Sequence, residues 1–341
     1  MFYTRLECSF RHSIMDIGVG GFIFSSALCD HSSLEDFKQK SLLFCLKNSL
    51  KKSAPLLFLG FFRFFLLFRI GYHVPPDEYG VHWNFFFTVS AVNIFSRFSD
   101  YFLSKFSFFS NNEASATPQT SAIEPANSNS KKFQTKSYNF KRSIFGFFVL
   151  SIYQSWLLSP NVMKFMFHEN RENFLNANRE GIFSNIGYFS LYMITLDARG
   201  FALFGAKTVK KSLKRLLTIS IFLLAMSEVF GSFLVSPCRR VANLTYVISC
   251  IGLNTLVLSG FLTVLTLLPN NYKLPSCLKG FSDSMLLFFI VSNLLTGAVG
   301  IFFQTLLVRN YESVIIQIFY VSILGFLADY LGRRGLKLKF W

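Results

Sequence analysis

The chain has 341 residues, of which 52% are hydrophobic and 15% charged, and it holds 45 phenylalanines. A soluble protein of this length cannot bury so much apolar surface, so composition points to a multi-spanning membrane protein. The formal net charge of +16 lies in stretches between apolar runs and not in one folded basic module, which sets nucleic acid aside as a partner.

In chain order, nine apolar runs have about the length needed to cross a hydrocarbon core, at about 14–29, 54–72, 80–103, 143–160, 183–200, 213–235, 241–268, 283–306 and 312–331. They predict an all-α, polytopic membrane helix bundle with about nine transmembrane helices. The first run is short and glycine-rich. It contains Asp16, which sets it apart from a signal-peptide core. Lys and Arg number 22 in one alternate set of loops and 8 in the other. That bias places the C-terminus in the cytosol and the start of the chain on the far side. Residues 104–142 are rich in Ser, Asn, Thr, Pro and Lys, and read as a disordered cytosolic linker. The linker divides a three-span part (1–103) from a six-span part (143–341). Six cysteines show no paired spacing, so neither a disulfide framework nor a metal site is expected. Lysines third and fifth from the end, in G-L-K-L-K-F-W, read either as a dilysine retrieval signal or as ordinary positive-inside flanking. The sequon at Asn243 lies so near the start of a span that it is expected to stay unmodified.

Polar groups gather at the far-side ends of these spans. Asp16 opens a glycine-rich helix, as a simple cap or as a functional acid. The stretch His73–Thr88, H-V-P-P-D-E-Y-G-V-H-W-N-F-F-F-T, crowds Asp77, Glu78, His82 and Asn84 at a membrane threshold beside Tyr79 and Trp83. It reads as an aromatic-belt boundary or as a site, since polar groups placed there cost free energy. His82 suits proton transfer from a hydroxyl, although an interface histidine also serves structure. Asn178, Arg179 and Glu180 precede the fifth span. Arg239 and Arg240 form a pair on the face that positive-inside sorting disfavours, which fits an anionic lipid headgroup or a structural ion pair. Asn293 is an amide within the eighth span, where helix packing accounts for it. No GxSxG, P-loop or HExxH pattern is present.

Five stretches, M-D-I-G-V-G-G-F-I-F at 15–24, E-Y-G-V-H-W-N-F-F-F-T at 78–88, A-N-R-E-G-I-F-S at 177–184, R-R-V-A-N-L-T-Y at 239–246 and N-L-L-T-G at 293–297, resemble the GPI-anchor inositol acyltransferases, the PIG-W family. The resemblance implies a multi-pass enzyme of the endoplasmic reticulum membrane. It would move a fatty acyl group, usually palmitoyl, from acyl-CoA to an inositol hydroxyl of glucosaminyl-phosphatidylinositol, with no cofactor beyond the acyl-CoA co-substrate. In this reading Asp16 and His82 act in acid–base or orienting roles. Asn84, Asn178, Arg179, Glu180, Arg239, Arg240, Asn243 and Asn293 line the acceptor site among membrane lipids. Family members resemble one another as roughly thirteen-span proteins, so the chain is expected to be truncated and to start about four spans late. The family's catalytic Asp would fall before Met1, and its catalytic Lys would match Arg5, which stays charged and exchanges protons poorly. The alternative is a non-catalytic lipid-binding or lipid-moving membrane protein, or an inactive relative.

Overall fold

A computed structural model describes residues 14–70, 79–110, 140–168, 170–206, 208–269, 272–303 and 307–336. It is all-helical among these residues, and each of the nine expected runs coincides with a helix. The long elements are α1 (Ile14–Cys29), α2 (Leu42–Ile70), α3 (Phe85–Ser110), α4 (Lys141–Leu157), α5 (Pro160–His168), α6 (Arg179–Arg199), α7 (Val209–Phe233) and α8 (Leu244–Leu267). They are followed by α9 (Ser276–Asp283), α10 (Met285–Phe302) and α11 (Asn310–Arg334). Among the described residues α7, α8 and α11 are long and apolar enough to cross a membrane, and the bent pairs α4–α5 and α9–α10 bring the number to five. α1 is too short, and α2, α3 and α6 do not meet the same measure, so length and apolarity do not by themselves reach nine crossings.

Local chemistry sets the helix ends. Asn84 caps α3, its Oδ1 accepting from the backbone N–H groups of Phe86 (3.0 Å) and Phe87 (3.3 Å). Thr208 does the same for α7, through the N–H of Lys211. α11 ends on Gly335 in the left-handed conformation (φ 64°). Pro160 has no N–H with which to continue α4, and the chain turns through 85° into α5.

The chain forms two compact units, Met1–Leu267 and Leu268–Trp341. In the second, α9 and α10 pack on α11 around Phe288, Ala328 and Leu331. In the first, α6 is the central helix, with α4, α1, α3 and α8 packed round it. Nearly every side chain from Arg179 to Asp197 is buried. Helices in lipid gain little from hydrophobic exclusion, so close backbone approach and buried hydrogen bonds must hold such a bundle together. Gly187 is one contact of that kind: a Cβ there would fall 2.0 Å from the carbonyl oxygen of Ala242. The exposed phenylalanines of α2 (Phe58, Phe61, Phe62, Phe65 and Phe68) form the sort of outer face that suits hydrocarbon.

Candidate functional site

One end of the first unit joins four segments that lie far apart in sequence. Residues 79–83 and 177–181 run side by side. The N–H of Val81 donates to the carbonyl of Ala177 (2.9 Å), and the N–H of Gly181 donates to the carbonyl of Tyr79 (3.0 Å). Asn178 locks this clip. Its Oδ1 accepts from the N–H groups of His82 (2.7 Å) and Trp83 (2.9 Å), while its Nδ2 donates to the carbonyl of Phe174 (2.8 Å). Gly80 makes the clip possible. Its φ is +98°, and a Cβ would meet the Ala177 carbonyl oxygen at 2.5 Å. The ring of His82 is left exposed, edge-on to Phe64 and stacked on Phe174.

Within the clip, Glu180 is wholly buried beneath arginines. Arg171 donates to it through Nη2 (2.6 Å to Oε1) and Nη1 (3.1 Å to Oε2). Arg240 donates to the same Oε1 at 2.8 Å. Arg179 stands 3.8 Å from that oxygen, but its Nε donates to the carbonyl of Met166 and its guanidinium lies over the ring of Phe165. Phe167 backs Arg240 in the same way. The bend after α4 therefore lets α5 lay Phe165, Met166 and Phe167 against the two cations.

Arg239 and Arg240 are presented by a rigid turn between α7 and α8. Asn243 organises it, accepting at Oδ1 from the N–H groups of Cys238 and Tyr246 and donating from Nδ2 to Ser236. Ala242 takes a positive φ of 46° there, pressed against Gly187. Tyr153 and Gln154 of α4 bond the Val241 carbonyl and the Leu244 N–H. From this turn Arg239 reaches Asp16 at 3.9 Å, and the hydroxyl of Tyr246 donates to the Asp16 carbonyl (2.7 Å). Asp16, the 79–84 stretch, the 177–180 stretch and the arginine pair are thus linked by direct contacts.

A family model described as GWT1 matches residues 7–331. The chain belongs to the GWT1 family. It is 30% identical to the GPI-anchored wall transfer protein 1 of Schizosaccharomyces pombe, over 99% of this chain and 67% of that protein. It is 28% identical to the protein of the same name in Saccharomyces cerevisiae, over 96% of this chain and 67% of the relative. It is 27% identical to the mouse glucosaminyl-phosphatidylinositol-acyltransferase PIGW, over 96% of this chain and 67% of the relative.

In this GWT1-family chain the expected site residues have different settings. Asn84 and Asn243 are buried and direct their amides to backbone groups, Asn84 also donating to the Gly60 carbonyl at 3.0 Å. Asn293 belongs to the second unit, exposed on α10, where its amide donates to the Phe289 carbonyl one turn earlier. Arg5, Asp77 and Glu78 lie outside the described residues. Arg171 was not expected, because nothing in the local sequence of its loop marks it.

A second polar network, also unforeseen, lies about 25 Å along α6 from Glu180, by the helix rise. Asp100, fully buried, accepts from Arg142 Nε (2.6 Å) and Nη2 (3.0 Å), and Arg97 bonds Asp30 (2.5 Å). Tyr192 donates to Asp30 at 2.7 Å, and Asp197 accepts from the Ser143 N–H at 2.7 Å. Burial works against the Asp30 carboxylate. Arg97, the Ser32 N–H and the Tyr192 hydroxyl outweigh it and hold its pKa down at about 2. Its charges pair within the bundle, and it ties α1, α3, α4 and α6 together.

Proposed function

We propose that this protein is an acyl-CoA-dependent O-acyltransferase that acylates the inositol ring of glucosaminyl-phosphatidylinositol in GPI-anchor biosynthesis. The observation that carries this reading is the junction of Asp16, the 79–84 clip, Glu180 and the arginine turn at one end of the bundle. The names of the relatives supply the chemical class: a glucosaminyl-phosphatidylinositol acyltransferase in mouse, and a phosphatidylinositol-glycan biosynthesis class W protein in Dictyostelium discoideum.

The reaction needs an inositol hydroxyl to attack a thioester carbonyl. The new C–O bond forms, the C–S bond breaks, the hydroxyl proton passes to a base, and CoA leaves as a thiolate that takes up a proton. His82 is the proposed base. Its ring is exposed while its backbone is held by Asn178, so a substrate can approach without loss of position. Asp16, part-exposed beside Arg239, serves to orient the acceptor. Arg239 and Arg240 face the anionic part of the acceptor lipid, since planar guanidinium groups match phosphate oxygens. Asn84, Asn178 and Asn243 support this surface by fixing the backbone that carries it. The phenylalanine-rich helices provide a hydrocarbon setting for the acyl chains.

We place the protein in the endoplasmic reticulum membrane with nine crossings and a cytosolic C-terminus. The test uses cells without their own inositol acyltransferase, expressing these 341 residues. Their microsomes receive labelled palmitoyl-CoA and glucosaminyl-phosphatidylinositol. A labelled, inositol-acylated lipid is the expected product. Its absence from membranes holding stably inserted protein would overturn the proposal for this chain.

A further inference from the structure

α2 is longer than a membrane crossing requires. Its 29 residues rise about 43 Å, against about 30 Å of hydrocarbon, and the surplus lies before the apolar run. In these first three turns Cys45, Ser49 and Ser53 are buried, and the Ser49 hydroxyl donates to the Asn93 carbonyl of α3 at 3.4 Å. By the helical period the opposite face carries Leu43, Phe44, Lys47, Leu50 and Lys51. Leu43 is 80% exposed, Phe44 56% and Leu50 49%, and Lys47, Lys51 and Lys52 are exposed beside them. Lys40, just before the helix, stands over the rings of Phe37 and Phe44 at 5.8 and 6.0 Å. α2 holds no Asp or Glu, and among the described residues Lys47, Lys51 and Lys52 make no ion pair.

This mixture on one face decides its surroundings. Water would leave three large apolar side chains wet, and hydrocarbon would strand the ammonium groups. A facing protein helix would have to bring carboxylates. The layer where phosphates meet acyl chains suits both kinds of side chain. There Leu and Phe enter the hydrocarbon edge, while the lysine stems lie along it and lift their charges to the phosphates. Phosphatidylcholine neutralises its own phosphate with a choline, so a lipid of net negative charge is the better partner.

We infer that the first three turns of α2 form a binding surface for anionic phospholipid headgroups in the leaflet they enter. Lys47 and Lys51 contact the phosphates, Lys40 and Lys52 flank them, and Leu43, Phe44 and Leu50 anchor the face in the acyl chains. Lys47 lies about 20 Å along α2 from Gly60, whose carbonyl accepts from Asn84, so the surface is separate from the junction described above. It does not rest on the acyl-transfer reading. Under the topology proposed above it meets the cytosolic leaflet, whose surface potential is negative.

The experiment places the full chain in phosphatidylcholine nanodiscs containing a small fraction of photoactivatable phosphatidylserine. A parallel arm uses phosphatidylcholine carrying the same photoactivatable group. After illumination, lipid capture is read peptide by peptide by mass spectrometry. Residues 41–53 should capture the serine lipid about tenfold more than the choline lipid, and about 0.5 M salt should remove most of that preference. Lys47→Gln combined with Lys51→Gln should lower capture of phosphatidylserine about tenfold and leave capture of phosphatidylcholine unchanged. Lys47→Arg combined with Lys51→Arg should retain it, since the contact needs charge. Leu43→Gln combined with Leu50→Gln should lower capture of both lipids. Equal capture of the two lipids by the unmodified chain would overturn the inference. So would undiminished phosphatidylserine capture in the double glutamine variant at an unchanged thermal midpoint. Capture of neither lipid here, with labelling elsewhere on the chain, would assign the face to a protein neighbour and equally overturn it.

Discussion

Asn178 concentrates more of the site's geometry in one side chain than any charged residue around it. Replacing it with alanine removes the acceptor for two backbone N–H groups, at His82 and Trp83, and the donor to the Phe174 carbonyl. A buried polar group left without a partner costs about 1–3 kcal/mol. The two amides are only part-buried, so water recovers some of this, and the net loss should be about 2–3 kcal/mol, located in the clip. At about 1.4 kcal/mol per factor of ten, the His82 and Trp83 amides should exchange with deuterium roughly 30 to 140 times faster in Asn178→Ala. Acyl transfer should fall with it, because His82 loses its fixed backbone. Asn178→Asp is the informative control: its carboxylate still accepts from both amides but buries a charge and sets an oxygen against the Phe174 carbonyl, so only part of the protection should return. Equal exchange rates in wild type and Asn178→Ala would show that the clip is held by something other than this side chain, and the reasoning would be refuted.

Three other outcomes follow from the same accounting. Arg142→Ala leaves the buried Asp100 carboxylate with only Arg97, at 3.5 Å, and breaking a buried pair from one side costs up to about 3–5 kcal/mol; thermal unfolding in detergent should show a drop that Arg142→Ala combined with Asp100→Asn partly reverses. The folded-state pKa of Asp30, about 2, lies below its ordinary value of 3.8, so its contribution is present above the ordinary value and disappears as pH falls through about 2. Stability measured between pH 5 and pH 2 should therefore decline by roughly 2 kcal/mol from this group, and Asp30→Asn should flatten that part of the profile. Asn243 is 1% exposed with its amide committed to Ser236, so endoglycosidase treatment should leave the protein's electrophoretic mobility unchanged. A shift abolished by Asn243→Gln would contradict the observed turn.

Much of the helical frame was legible because apolar runs mark where backbone groups must satisfy one another. The limits of those runs were less so. α2 begins at Leu42, twelve residues before its apolar run, because Lys47, Lys51 and Lys52 are good helix formers that the hydropathy reading assigns to a loop. Likewise α6 starts at Arg179, with charges inside the helix that pair only in three dimensions. The polar stretches at Asp16, 79–84, 177–180 and 239–243 stood out as polar residues at apolar borders, and contacts join them. What sequence could not supply were partners: Arg142 meets Asp100 across 42 residues and Arg97 meets Asp30 across 67, with no local pattern pointing from one to the other. Asn84 and Asn243, taken as possible ligand contacts, sit just before apolar helices, which is also the signature of a cap.

The enclosure of α6 has a consequence for how the protein is made. A segment with charges at both ends and Asn185, Ser190, Thr195 and Asp197 between apolar residues has little tendency to leave the translocation channel for lipid by itself, since its polar side chains lower the gain from insertion. Its neighbours α1, α3 and α4 are synthesised earlier, but α8 emerges only after residue 244. Residues 179–199 should therefore stay beside the channel until their partners have gathered, and membrane integration becomes part of folding rather than a step before it.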